Sequence, residues 1–473
     1  METPDMKFDI AVIGAGSAGL SVAAAAAQFG QTVVLFEKDE MGGDCLNTGC
    51  VPSKALLAAA KAAQAHRVSE GFGIAGHEPG VDFAAAMAHV HKVIAAIAPH
   101  DSQERFEGLG VKVVRAAAKF IGPQTLEAGG DIYEARRIVI ATGSRAAVPA
   151  VPGLDEVPYF TNETIFRNTS LPSHLIIIGG GPIGLEMAQA HRRLGAQVTV
   201  LEAFEPLAKD DPELSAVVLD SLRGEGISIR GNTKIELVEK TAGGIRLQLA
   251  GDERIVGSHL LVAAGRMPNV DSLNLEAAGI AFSKRGITVD HLLRSSNRNV
   301  YAAGDVSGGL QFTHVAGYQA GNIIRHALFR IRARNRTDII PWVTYTDPEL
   351  AHVGLTEANA RSRFGDNIRV MRFPFRENDR AVAENKTKGL VKVVSKSNGR
   401  ILGASIVGPH AGEQIAMWSL ALSQGLKVSA IASAVLPYPT LSEAGKRAAI
   451  GYYAGLAQRG FTRAVIGMLK WFG

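Results

Sequence analysis

The sequence predicts an α/β fold: two Rossmann-like units followed by a smaller C-terminal α+β domain. Three observations carry that prediction. An apolar run, a glycine-rich turn, a helical stretch and a second apolar run ending in an acid occur in that order twice, at Phe8–Glu37 and at Leu175–Glu202. The 52 glycines concentrate in turns that follow apolar runs. From Trp342 onward the texture changes to shorter strand and helix patterns. The composition, 47% hydrophobic and 20% charged, is that of an ordinary globular protein, and 473 residues allow two to four domains.

In the first unit Phe8–Ile13 reads as a buried parallel strand. Gly14, Gly16 and Gly19 then open an alanine-rich helix reaching Phe29, and Thr32–Phe36 is a second strand ending at Glu37. Glycines in this pattern give a tight turn and let a pyrophosphate approach the backbone at a helix N-terminus. An acid some twenty residues on accepts hydrogen bonds from ribose hydroxyls. The second unit repeats this with Gly179, Gly181 and Gly184, then Gln197–Leu201 and Glu202, and in both units the acid lies 23 residues after the first glycine. One such motif is weak, but two complete units predict two bound dinucleotides. The apolar stretch Ile10–Phe29 is not read as a signal or membrane segment, because no basic run precedes it and the glycines interrupt it. The expected location is therefore cytoplasmic.

Cys45 and Cys50, the only cysteines, sit in Gly-Gly-Asp-Cys-Leu-Asn-Thr-Gly-Cys-Val-Pro-Ser-Lys, residues 42–54. In an unbroken helix this spacing would hold the Cα atoms about 8–9 Å apart. A disulfide tolerates at most about 7 Å. Asn47 and Gly49 are therefore expected to break the helix and let the sulfurs meet before Pro52 starts a regular turn. Two cysteines without a neighbouring histidine make a poor zinc site, and no metal is assigned. A lone pair in a reducing compartment reads as a redox couple. It follows the first unit closely, so the first dinucleotide lies against the sulfurs and is assigned as FAD, because a flavin passes two electrons to a disulfide. The second is a nicotinamide cofactor. The carboxylate of Glu202 would repel a 2′-phosphate, so NAD, as NADH, is preferred over NADPH.

The cysteine segment resembles the active-site segment of the flavin-dependent pyridine nucleotide–disulfide oxidoreductases, the family of dihydrolipoyl dehydrogenase, glutathione reductase and mercuric reductase. The resemblance runs from about Phe8 to Ala448. It takes in Ile138–Gly143, with Thr142 and Gly143; Leu261–Arg266, with Gly265; and Val300–Val306, where Asp305 matches the aspartate of the second flavin-binding segment. It implies that Lys54, one turn past Cys50, sits near the flavin and pairs with Glu186. It further implies a homodimer built through the last domain, each subunit completing the other's site. The implied boundaries are 1–148 for the first part of the FAD-binding domain, 149–267 for the NAD(P)-binding domain, 268–341 for the second FAD-binding part and 342–473 for the interface domain.

In dithiol-oxidising members the interface domain carries His-Pro-Thr and a nearby glutamate. Here Tyr438-Pro439-Thr440 precedes Glu443. A phenol titrates near 10 and an imidazole near 6.5, so Tyr438 is the weaker base at neutral pH. Mercuric reductases resemble the chain at this tyrosine, yet they carry a further cysteine pair that is missing here. The leading expectation is thus a dihydrolipoyl dehydrogenase-like enzyme acting on a dithiol or disulfide, lipoyl or other. The alternatives are a metal-ion reductase with Tyr438 facing the metal, and a membrane- or complex-bound electron-transfer flavoprotein, with His314 or a water on Glu443 as other candidate bases. After Glu443 there is no acid, and Lys446, Arg447, Arg459, Arg463 and Lys470 equal the chain's whole formal excess of +5. Phe461, Ala464, Val465, Met468, Leu469 and Phe472 follow helical spacing. This tail either packs on the interface domain or docks on a partner or the inner membrane face. Nothing supports nucleic-acid binding.

Overall fold

The computed structural model describes residues 6–454 and 460–472. They form two compact units. One holds the chain up to Glu70, Ala75–Ala203 and Asn232–Thr337; the other holds Gly71–Ile74, Phe204–Gly231 and the chain from Asp338 onward.

The first unit contains both predicted nucleotide folds. Met6–Ile13 pairs in parallel with Val33–Phe36 and with Asp131–Ile140, and Val33–Phe36 pairs with Val111–Val114. Val300–Ala302 returns from far along the chain to pair with Asp131–Ile140. The antiparallel strands Ala118–Gly122 and Thr125–Ala128 complete this seven-stranded sheet. Successive side chains alternate faces. Ile10 and Val12 meet Leu35, Val139 and Ile323 on one side, while Ala11 and Ile13 meet Phe36, Phe120 and Ile138 on the other. The first face is covered by the helices Ser17–Gln28 and Thr313–Phe329.

The second nucleotide fold is built on the parallel strands Gln197–Leu201, His174–Ile178 and His259–Val262. The helix Pro182–Arg193 follows its glycine turn, and an antiparallel meander, Ile235–Thr241, Gly244–Leu249 and Arg254–Gly257, encloses an apolar core with Ile176, Ile178 and Leu201. The long apolar run of the N-terminal region is thus a strand, a turn and a helix. Among the described residues no helix is long and apolar enough to cross a membrane.

The second unit centres on an antiparallel sheet in the order Pro341–Thr344, Glu349–Gly354, Ile401–Gly408, Leu390–Lys396, Ile368–Pro374. Val393 and Ile406 pack on Trp418 of the helix Ala411–Ser423 and on Ala448 of the helix Glu443–Ile450. The second of these helices ends at Ile450. It gives way to a single tighter turn at Gly451–Tyr453, and residues 455–459 lie outside the described residues.

Phe204–Gly231, part of the expected 149–267 domain, belongs to the second compact unit. Lys392, only 4% exposed, sits 2.7 Å from Asp211, 2.9 Å from Glu213 and 2.9 Å from Glu357, and Arg372 bridges the two glutamates. A buried ammonium is tolerated only with such partners. Asp211 also caps the helix Pro212–Gly224, accepting from Glu213 N.

Candidate redox and dinucleotide site

The two glycine turns repeat one geometry. Gly14 has φ +104°, and a Cβ there would lie 2.4 Å from Ala141 O; Gly179 has φ +119°, and its Cβ would lie 2.3 Å from Ala263 O. Gly19 and Gly184 allow close helix contact, since their Cβ atoms would stand 1.8 and 2.0 Å from the carbonyl oxygens of Gly14 and Gly179. Gly16 and Gly181 differ: nothing lies within 4 Å of a Cβ there, and both are N-caps of their helices. Open space in front of a helix N-terminus suits a diphosphate. Glu37 Oε2 accepts from Ala15 N at 2.6 Å and Glu202 Oε2 from Gly180 N at 2.7 Å, so each acid is held at the lip of its turn. Both sets of residues fit a dinucleotide.

Further along the first fold, Thr142 Oγ1 donates to Asn269 O at 2.8 Å, Gly143 and Gly265 take φ +67° and +120°, and Asp305 sits in a charged network. Ser144 Oγ donates to Asp305 at 2.5 Å, and Arg266 stands 3.5 Å from Asp305 and 3.2 Å from Asp44. Burial raises the Asp305 carboxyl above its ordinary range, against the hydrogen bond from Ser144 and the charge of Arg266.

The redox segment folds as a short helix, Gly43–Asn47, a break at Thr48 and Gly49, and a long helix, Cys50–Val68. The break is later than the sequence suggests. Asn47 remains helical and acts through its side chain, whose amide donates to Met41 O at 3.0 Å and Gly43 O at 2.9 Å. Gly49 is needed for space and not for a left-handed φ: its φ is −128°, and a Cβ would lie 2.9 Å from Asp44 O. Pro52 is already inside the long helix, which begins at Cys50 itself.

Both cysteines are free thiols, Cys45 half-buried and Cys50 exposed, and they are hydrogen-bonded to each other. The Cys45 thiol donates to Cys50, which pushes Cys45 well above the ordinary thiol range. The same bond, with Thr313 Oγ1 at 3.3 Å and the charge of Lys54, lowers Cys50 to about 6 against an opposing desolvation. Its place at the first position of a helix favours a thiolate further. Lys54 Nζ lies 2.7 Å from Glu186 Oε2, and Glu186 is 4% exposed on the helix Pro182–Arg193.

In the second unit Tyr438 is 68% exposed, and its hydroxyl donates to Asp379 Oδ2 at 2.6 Å. That hydrogen bond, with the Asp379 charge, raises the phenol above its ordinary value. Glu443 begins the next helix and pairs with Arg447 at 3.2 Å.

The pyridine nucleotide-disulphide oxidoreductase family model matches residues 8–320, and the model of its dimerisation domain matches residues 340–449. The chain belongs to this family. A mercuric reductase of Streptomyces lividans is 35% identical to this oxidoreductase, covering 95% of it and 97% of the relative. A dihydrolipoyl dehydrogenase of Thermus scotoductus is 36% identical, covering 92% and 95%. Among solved structures, the HOCl-induced flavoprotein disulfide reductase RclA of Escherichia coli in a Cu(II) complex superposes with TM-score 0.84 at 29% identity, covering 93% and 99%. LpdA of Mycobacterium tuberculosis gives 0.86 at 27%, covering 94% and 99%. The family is FAD-dependent and uses a pyridine nucleotide, so this oxidoreductase is a flavoprotein enzyme with a dimerisation domain.

Sequence reasoning missed four side chains of the oxidoreductase's redox centre. Thr313 touches Cys50, Ser17 hydrogen-bonds Cys45, Arg266 neutralises Asp44, and Asn162 donates to Asp44 at 3.0 Å. Ser17 lies within the first glycine motif and was findable there. Thr313 and Asn162 carry no local signal. His314, next to Thr313, stacks on Phe312 with centroids 5.3 Å apart.

Proposed function

We infer that this oxidoreductase transfers an electron pair from NADH to a disulfide-type acceptor through the Cys45–Cys50 couple, working in the reductive direction. The observation that carries the reading is the asymmetric placement of the pair: Cys50 opens a long helix with Thr313 Oγ1 at 3.3 Å, which favours a thiolate there, while Cys45 is half-buried in the short helix before it. Gly14, Gly16, Gly19, Glu37, Thr142, Gly143 and Asp305 would hold FAD, with Lys54 beside it. Gly179, Gly181, Gly184, Glu202 and Gly265 would hold the nicotinamide cofactor, NADH in preference to NADPH. The chemistry a bound flavin supplies is transfer of the nicotinamide's electron pair to the disulfide.

That reduction breaks the sulfur–sulfur bond and, with one proton, leaves the Cys45 thiol and the Cys50 thiolate. A shift of the proton from Cys45 to Cys50 makes Cys45 the nucleophile. It attacks the substrate disulfide, forms a mixed disulfide and expels one substrate thiolate. Cys50 passes that proton to the expelled thiolate, attacks the Cys45 sulfur as a thiolate, restores the intrachain bond and releases the second thiolate. Lys54, fixed by Glu186, keeps a positive charge near Cys50. Tyr438, a phenol that Asp379 raises further above its ordinary value, stays protonated at neutral pH, so it is not the base that dithiol oxidation needs.

A second reading is supported by that same tyrosine: the acceptor is a soft metal ion bound by both sulfurs, whose reduction needs no base. The test is steady-state turnover with NADH and NADPH against lipoamide, Hg(II), Cu(II) and a quinone. Disulfide or metal reduction that prefers NADH and disappears in Cys45→Ser supports the proposal. Quinone turnover that exceeds both and survives Cys45→Ser overturns it.

A further inference from the structure

The matched dimerisation domain ends at residue 449, and beyond it the chain forms a separate helix, Gly460–Leu469. Backbone hydrogen bonds from Trp471 N to Met468 O and from Phe472 N to Leu469 O extend it by a turn. Val465, Met468, Leu469 and Phe472 recur at three- and four-residue spacing, and Arg463 and Lys470, seven residues apart, share the opposite side. The apolar side is not packed away: Ile466, Met468 and Leu469 are more than half exposed, Trp471 is 88% exposed and Phe472 83%. No acid occurs after Glu443.

We propose that this helix is a lipid-docking element that seats the oxidoreductase on an anionic bilayer surface. An apolar face with a tryptophan and a phenylalanine at its rim, backed by a polar side that carries cations and no acid, matches the chemistry of a bilayer interface, where ring bodies enter the acyl boundary and a basic helix is drawn to anionic lipid. With ten residues the helix is too short to span, so it lies in the interface plane. Attraction to anionic lipid falls off within a Debye length and is salt-sensitive.

The experiment uses the full-length holoenzyme and vesicles of phosphatidylcholine with or without phosphatidylglycerol. The protein should co-sediment with the anionic vesicles only, and Trp471 emission should shift to the blue, a shift that is lost in Trp471→Phe. Arg463→Glu with Lys470→Glu should weaken binding on the order of tenfold or more, and a chain ending at Tyr453 should not bind, while turnover of soluble acceptors is unchanged in both. Equal binding to neutral vesicles, equal binding of the shortened chain, or an unshifted Trp471 overturns the proposal. So does conversion of the shortened chain to a monomer in light scattering, which would assign the helix to contact between copies, or vesicle-independent capture by an acidic protein.

Discussion

At the scale of single residues, the chemistry rests on how charge is distributed around two sulfurs. Asp44 opposes the Cys50 thiolate, and Arg266, 3.2 Å from Asp44, offsets that opposition. Iodoacetamide labelling of Cys50 in the reduced enzyme should therefore reach half its maximal rate near pH 6, matching a thiol lowered to about 6. Arg266→Met should move that midpoint up, Asp44→Asn should move it down, and the double variant should return close to the starting value. A midpoint that ignores Arg266→Met would show that the guanidinium only braces the fold. Tyr438 supports a second prediction. Its hydroxyl is committed to Asp379 and its phenol is raised, so Tyr438→His should introduce a base titrating near neutrality and increase dihydrolipoamide oxidation at least about tenfold at pH 7. Wild-type turnover already as fast as the variant would mean that another group, such as His314, accepts the proton.

At the scale of elements, the glycine turns were readable from sequence because everything that makes them lies within thirty residues: strand, glycines, helix and acid. The cysteine segment was readable for its chemistry but not for its backbone, since Asn47 signals a break by residue type and yet spends its amide on Met41 and Gly43 inside a helix. The ion cluster of Lys392 was invisible, because Lys392 finds Asp211 from 181 positions away. Glu202 ends its strand just before that segment and is held at the Gly179 turn. Replacing it by alanine together with Ala203→Arg should shift the kcat/KM ratio toward NADPH. A charge pair 4 Å apart at an effective dielectric near 20 amounts to roughly 4 kcal/mol, ample for such a change. Wild-type kinetics favouring NADPH would refute the assignment. The Lys392 cluster gives a stability prediction. Against the cost of burial, hydrogen bonds from Lys392 and Arg361 lower Glu357 to about 2 from an ordinary 4.5. A depressed carboxylate stabilises fully above its unfolded value, so this contribution should be intact above pH 4.5 and disappear as pH falls toward 2 in urea titrations. Lys392→Met leaves three carboxylates without their buried cation and should cost roughly 3–5 kcal/mol at pH 7.

At the scale of the whole molecule, the dimerisation domain sets the last prediction. If acceptor chemistry needs two subunits, disulfide or metal reduction should fall on dilution in step with loss of dimer by sedimentation, while NADH oxidation by a small outer-sphere oxidant such as ferricyanide persists. Parallel loss of both would place the dimer's role in holding cofactor. The redox centre also has a history within each chain. Cys50 meets Thr313 across 263 positions, and the strand Val300–Ala302 joins its sheet only after the second nucleotide fold has been made. At the usual pace of about 5–20 residues per second, a ribosome needs roughly 13–50 s to reach Thr313 after Cys50 has been joined. For that interval the nascent dithiol lacks one of the hydrogen bonds that stabilise its thiolate, so the emerging chain carries a less acidic cysteine pair than the finished enzyme. Ribosome-bound chains stalled before Thr313 should accordingly label at a higher pH than released ones, which makes the reactivity of the pair a late product of synthesis.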